Sequence, residues 1–206
     1  TFTVPDDAYT DILYSDVASG TRKSGFNTLT FRHALVKYSI KVYAMEVGEN
    51  GELINDVWGK IKAVELEQMP SECIISLPES SGSLPVVSYS GENKSLRREA
   101  VLEKLPLGFS KAADLTYFLA PCPSDNILRL KITTEKDNVE VVTKQTLSIA
   151  RHFQPGKHYQ IYLRFTTHGV ISAEIVAAQW QDKNDYLNVE HNSGVYYDLS
   201  ENHTAN

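Results

Sequence analysis

Thr28-Leu29-Thr30-Phe31-Arg32-His33-Ala34-Leu35-Val36-Lys37-Tyr38-Ser39-Ile40-Lys41-Val42-Tyr43-Ala44 runs at a period of two, the mark of a strand. A strand points successive side chains to opposite faces, so a half-buried strand is apolar at every second position. Leu29, Phe31 and His33 form one such face against Thr30, Arg32 and Ala34. After Leu35 the parity changes, and Val36, Tyr38, Ile40, Val42 and Ala44 carry the pattern toward Glu46. A one-residue slip would turn every later apolar side chain to the wrong face. The stretch therefore predicts one strand with a bulge or bend near Ala34-Leu35.

The same period recurs downstream. Leu128, Leu130 and Ile132 alternate, then Val139 and Val141, then Tyr159, Ile161, Leu163 and Phe165, and last Ile171, Ala173, Ile175 and Ala177. Their β-branched and aromatic content suits strands. Turn chemistry separates them: Asn50-Gly51, Glu135-Lys136-Asp137-Asn138, which reads as a hairpin tip, Pro155-Gly156 before the Tyr159 run, and His168-Gly169 between the last two runs, which predicts a hairpin. Helix signals are few. Leu96 to Glu103 predicts two helical turns, and Ala112 to Leu119 fits helix or strand. The expected fold is all-β, a sandwich of about seven to eight strands with minor helix. Its predicted core is Leu29, Phe31, Tyr38, Ile40, Val42, Leu128, Leu130, Ile132, Ile161, Leu163, Phe165, Ile171, Ile175 and Trp180.

With 206 residues the chain can bury roughly 70% of its unfolded surface, enough for a core without metals or many disulfides. A net charge of −6 argues against a phosphate-backbone binder, so no nucleic-acid partner is expected. No apolar run is long enough to cross a membrane as a helix. Residues 1–26 are polar and read as a lead-in linker, 27–182 as the sandwich domain, and 183–206 as a polar tail or last strand. Residues 77–95, rich in Ser, Gly, Pro and Glu, read as a long surface loop. Thr1-Phe2-Thr3-Val4-Pro5 has no secretory leader pattern, so the chain reads as a mature form or an excised fragment.

The two cysteines, Cys73 and Cys122, lie 49 positions apart with no C-x-x-C spacing, which disfavours a zinc site. Two buried thiols and a disulfide between neighbouring strands both fit, the second only in an exported protein. His152 and His158 are six apart and flank a turn, unlike the i, i+4 pair of H-E-x-x-H. His33 reads as a hydrogen-bonded core or edge histidine. There is no G-x-S-x-G, P-loop or G-x-G-x-x-G. The sequence assigns no catalytic residue, no metal ligand and no cofactor, and the chain is expected not to be an enzyme.

The ordered set of segments resembles the fimbrillin-like family, the fimbrial subunits or type V pilins of Bacteroidales. Thr28 to Ile40 is similar to that family's L-x-F-x-H-A-L-x-K-x-x-I strand through Leu29, Phe31, His33, Leu35 and Lys37. Asp11-Ile12-Leu13-Tyr14-Ser15 resembles the segment preceding it. Tyr117 to Pro121 resembles its Leu-x-Pro element, and Phe153, Gly156, Lys157 and Tyr159 its F-x-x-G-K-x-Y element. Ile171, Ile175 and Trp180 match its closing pattern. The likeness covers roughly residues 11–180. Family members usually carry a lipidated N-terminal β-sandwich region ahead of the Asp11-like segment, so by resemblance this chain would be the C-terminal domain of a longer precursor or a product cut near Thr1.

The resemblance implies a transthyretin-like, Greek-key type β-sandwich at the cell surface or outer membrane, as part of a fimbrium. Its membrane attachment would run only through a lipid anchor on the parent chain. The implied partners are neighbouring fimbrial subunits, joined by β-strand addition, and a host or bacterial surface receptor. The tail offers a donor-strand candidate, with Val195, Tyr197 and Leu199 on one face; the plainer reading makes it the sandwich's own last strand. The alternative is a carbohydrate-binding jelly-roll module, for which Trp58, Tyr89 and Tyr186 are the aromatic candidates. Trp58, next to Gly59, reads more plainly as a packing residue at the start of a strand.

Overall fold

The parity change after Leu35 marks a passage between sheets. In the computed structural model, which describes residues 1–15, 31–45, 51–78, 84–149, 151–168 and 171–180, the elements in chain order begin with β1 (Phe2–Thr3), β2 (Leu13–Ser15), β3 (Phe31–His33), β4 (Val36–Ala44) and α1 (Gly51–Trp58). They continue with β5 (Lys60–Ser76), β6 (Val86–Leu102), a short 3-10 turn (Phe109–Lys111), β7 (Ala113–Ala120), β8 (Ile127–Lys136), β9 (Val139–Ser148), β10 (Lys157–Phe165) and β11 (Ile171–Gln179). β3 pairs with β2, while β4 enters a different sheet. The expected continuous strand is thus two strands. Ala34 and Leu35 are both fully buried, and neighbours on one strand point to opposite faces, so the backbone bends there and both go inside.

One sheet is antiparallel: β5 pairs with β6 on one side and β8 on the other, β8 pairs with β9, and β1 extends β5 at Phe2–Cys73 and Thr3–Glu72. The other sheet runs β11-β10-β4-β7, with β10 parallel to β4 and the remaining pairs antiparallel. Between them lies one core. Val64, Leu66, Leu128, Leu130 and Ile132 from the first sheet meet Tyr38, Ile40, Phe118, Ile161, Leu163 and Phe165 from the second. The fold is an all-β sandwich. Among the described residues its two sheets hold nine strands, five and four, one more than the expected seven to eight because β1 adds to β5. Residues 1–15, grouped by sequence with the lead-in linker, are built into it: Val4 and Ala8 are fully buried, and Leu119 donates its amide to the Ala8 carbonyl at 2.7 Å.

Both hairpin expectations on described strands hold. β8 and β9 join through Asp137 and Asn138 at φ 51° and 61°, the left-handed pair that a type I′ turn requires. β10 and β11 pair from Phe165–Ile171 to Lys157–Gln179.

Four expectations are corrected. Leu96–Glu103 is not a helix: Leu96 to Leu102 belongs to β6, where Leu96 sits opposite Leu66 and Arg97 opposite Glu65. Leu96 and Ala100 are buried between exposed neighbours, so pairing with β5 overrides a helical propensity worth only tenths of a kcal/mol per residue. The supposed loop 77–95 is strand from Val86 onward. Phe31 is 64% exposed rather than core, because the two-stranded β2–β3 ladder leaves its side chain outside the sandwich. Trp58 ends α1 instead of starting a strand. Ile54 and Trp58, one turn apart, form the buried face of that helix, and the Trp58 indole N–H donates to the Thr166 carbonyl at 2.8 Å. The ambiguous Ala112–Leu119 segment is strand β7. Leu29 and Asn50 lie outside the described residues.

Candidate functional site

Several of the residues quoted for the resemblance come together in space, although Asp11 and Trp180 are 169 positions apart. His33, at the end of β3, places Nδ1 2.5 Å from the Asp11 carboxylate and stacks its ring on Trp180, with centroids 3.7 Å apart and planes 7° from parallel. Asp11 precedes β2, and the β2–β3 ladder holds it there, supported by the Ala34 amide donating to the Ile12 carbonyl at 2.7 Å. Gly156 donates its amide to the Leu35 carbonyl at 2.8 Å. Its φ is +68°, and a Cβ would lie 3.2 Å from the His33 carbonyl oxygen, so glycine suits both the left-handed backbone and the close approach.

Behind this clasp the rings of Tyr38, Phe153 and Tyr159 interlock, with Phe153 centroids 5.7 and 4.9 Å from the two tyrosines. The buried Tyr38 hydroxyl donates to the Pro121 carbonyl at 3.1 Å. Burial pushes its pKa well up, so it stays a neutral donor. Leu35 is core, Lys157 is exposed at the start of β10, and Lys37 lies on the outer face of the second sheet. These contacts tie the lead-in, β3–β4, the end of β7 and the entry to β10 into one knot. Each of these polar contacts joins one segment to another.

Cys73 and Cys122 are free thiols. Cys73 packs with Val4 and Ala34, and Tyr89 lies against that cluster. The Tyr89 hydroxyl also bonds the Ala34 carbonyl. Burial pushes the Cys73 thiol up and the Cys122 thiol up to about 12, so neither is an activated nucleophile. Among the described residues, no group of three or more His, Cys, Asp or Glu side chains is placed to hold a metal ion.

Two surface features remain, and sequence reasoning missed both. A polar groove of about 380 Å³ lies on the outer face of the second sheet, floored by the buried His158 and Gln160 and walled by Tyr9 and Tyr117. His158 Nε2 is 2.8 Å from Ser39 Oγ, the Tyr162 hydroxyl donates to Gln160 at 2.8 Å, and Lys41 pairs with Asp114 at 2.8 Å. The second feature is the ends of the sheets. Among the described residues β9 pairs only with β8, and β11 only with β10. Val139, Val141 and Val142 of β9 are 62%, 51% and 50% exposed. Adjacent valines at 141 and 142 were the available signal, since a strand apolar on two successive positions presents both faces.

The family model for fimbrillin-like proteins matches residues 3–180. The chain belongs to the fimbrillin-like family. No curated protein matches it. Solved structures similar to this fimbrillin-like chain include a proposed cell adhesion protein from Bacteroides uniformis, at 14% identity and TM-score 0.45, covering 82% of this chain and 66% of that one. Others come from Parabacteroides distasonis (11% identity, TM-score 0.41, 74% and 54% covered) and Bacteroides eggerthii (13% identity, TM-score 0.42, 79% and 61% covered), both proposed cell adhesion proteins. The fimbrillin-like chain thus spans about two-thirds or less of each of these structures.

The remaining predicted residues of this fimbrillin-like chain divide clearly. The donor-strand candidates Val195, Tyr197 and Leu199 lie outside the described residues, as does Tyr186. Of the aromatics named for a carbohydrate module, Trp58 is 5% exposed and T-stacked on Phe165 at 5.0 Å. Tyr89 is half-buried with its hydroxyl engaged. Neither is placed to stack on a sugar.

Proposed function

We propose that this chain is a non-enzymatic domain of a fimbrial surface protein, a pilus subunit or a fimbrium-associated adhesin or anchor, that joins its neighbours by β-strand addition outside the cell. The family match over residues 3–180 carries this reading. The β9 and β11 edges, each paired on one side only among the described residues, support it. An exposed edge presents unpaired N–H and C=O groups, and an added strand satisfies them while its alternate side chains enter pockets. The tail segment bearing Val195, Tyr197 and Leu199 is the proposed donor. Three such side chains at ~1.5–3 kcal/mol each would contribute roughly 5–9 kcal/mol before ordering costs.

Deleting the chain after Trp180 tests the donor role. A folded domain that no longer assembles with its neighbours is the expected result. A destabilised domain would instead make the tail part of this sandwich and overturn donation.

A further inference from the structure

The β8–β9 hairpin decides which backbone groups of β9 are already taken. Its two-residue turn closes on the Lys136–Val139 pair. In such a turn the closing pair is hydrogen-bonded, and bonded and non-bonded pairs then alternate along the ladder. Val139, Val141, Thr143, Gln145 and Leu147 therefore face β8 with their N–H and C=O groups, opposite Lys136, Thr134, Ile132, Leu130 and Leu128. Glu140, Val142, Lys144 and Thr146 direct theirs away from β8, along an edge that pairs with no other described strand.

We propose that this edge is a self-association site, where β9 pairs antiparallel with β9 of a second copy about a two-fold axis through Val142. The sequence around that axis is self-complementary. Val142 meets Val142 of the other copy, and Glu140 meets Lys144 twice, once on each side. All of these are positions whose backbone groups point outward, so the register that pairs the charges also pairs the hydrogen bonds. On the opposite face Val141 falls beside Thr143 and Val139 beside Gln145, which covers the three exposed valines of each copy. Centring the axis one residue earlier sets Glu140 against Val142; one residue later sets Lys144 against Val142. Only the Val142 register satisfies both charge and apolar surface.

Lys144 also bonds Glu67 of its own chain at 2.9 and 3.1 Å, but its side chain is 65% exposed and an ammonium has three donors to share. A single ladder buries less than the ~1,200 Å² of a stable interface, so the pairing alone is weak and transient. The contact needs no donor tail, and of the two edges named for strand addition it occupies β9 and leaves β11.

Sedimentation equilibrium of the full chain over a wide concentration range tests it. Wild type should show a reversible monomer–dimer equilibrium. Val142→Pro deletes an outward N–H and spares the β8 ladder, so it should stay folded by circular dichroism and lose the dimer; proline is tolerated on an edge in this orientation. Glu140→Lys should weaken association about tenfold by setting lysine against lysine twice, and Glu140→Lys with Lys144→Glu should restore it to within about threefold. Deleting residues 181–206 should leave the equilibrium unchanged, which keeps this outcome distinct from tail donation. A wild type that is monomeric at every concentration, a dimer unaffected by Val142→Pro or Glu140→Lys, or a double variant no better than Glu140→Lys would overturn the proposal.

Discussion

Gly59→Ala is expected to be among the most damaging single substitutions that adds only a methyl group. Gly59 follows α1 in the left-handed region, at φ +65°, and its amide donates to the Asn55 carbonyl at 2.8 Å, closing the helix. A Cβ there would lie 2.2 Å from the Glu135 carbonyl oxygen, 2.9 Å from its carbon and 3.0 Å from the Lys136 Cα. All three atoms are backbone and cannot swing aside. Reaching an ordinary carbon–oxygen separation of about 3.3 Å needs roughly 1 Å of movement, either of the helix end or of the β8–β9 hairpin. The left-handed conformation costs alanine roughly 1–2 kcal/mol. Moving the helix end loosens Trp58, and an aromatic side chain burying ~200 Å² gains about 5 kcal/mol from that burial. Losing a third of it adds ~1.5–2 kcal/mol. The sum is about 3 kcal/mol, or roughly 6–12 °C in Tm for a chain of this size. Urea unfolding followed by tryptophan fluorescence and far-UV circular dichroism measures it. Gly59→Asn separates the two causes, because asparagine tolerates the left-handed region but carries the same Cβ. It should recover no more than ~1 kcal/mol. An asparagine variant within ~0.5 kcal/mol of wild type would show that the carbonyl contact is not what excludes a side chain.

Other expected outcomes follow from burial and pairing. Phe31→Ser should change stability by less than ~0.5 kcal/mol, whereas Leu35→Ala, which empties a fully buried site, should cost ~2–5 kcal/mol by the same unfolding assay. Native protein at pH 8 should react only slowly with a thiol reagent, since the Cys122 thiol is pushed up to about 12 by burial and Cys73 is also raised; denatured protein should titrate two thiols. A denatured chain with none would contradict the free-thiol geometry. Asp125 is held below the usual carboxylate range, chiefly by hydrogen bonds from Arg129, whose guanidinium meets it at 2.5 and 3.1 Å. A depressed folded pKa gives stability that is present above the unfolded value, near ~3.9, and lost as pH falls through the folded one. Asp125→Asn should therefore destabilise at pH 7 by ~0.5 kcal/mol, small because the pair is solvent-screened, and the gap from wild type should close as pH falls through the lowered folded value. A gap that persists at acid pH would assign the loss to something other than this charge.

Strand parity made most of the sandwich legible because half-buried strands write their inner face directly into the chain. Tyr38, Ile40 and Val42 in β4, and Ile161, Leu163 and Phe165 in β10, are all buried where alternation put them. The parallel pairing of those two strands, Ile40 beside Ile161 and Val42 beside Leu163, was not legible, because alternation fixes a strand's faces and says nothing about its neighbour. β6 failed for a different reason. Its outer face carries Arg97 and Glu99 and its inner face Leu96 and Ala100, a short charged stretch of good helix formers whose state is set by the partner strand β5. The clasp residues were visible as a motif while their purpose was hidden. His33 reads from sequence as a hydrogen-bonded histidine, but its partners Asp11 and Trp180, 22 and 147 positions away, are named only by the fold that brings them to its ring. The β9 edge was the hardest to read, since Val139 and Val141 alternate as a core strand does. Only the structure shows that their face extends past the last buried strand. Alternation therefore identifies a surface that avoids water, but it does not distinguish a core inside one chain from a contact between two.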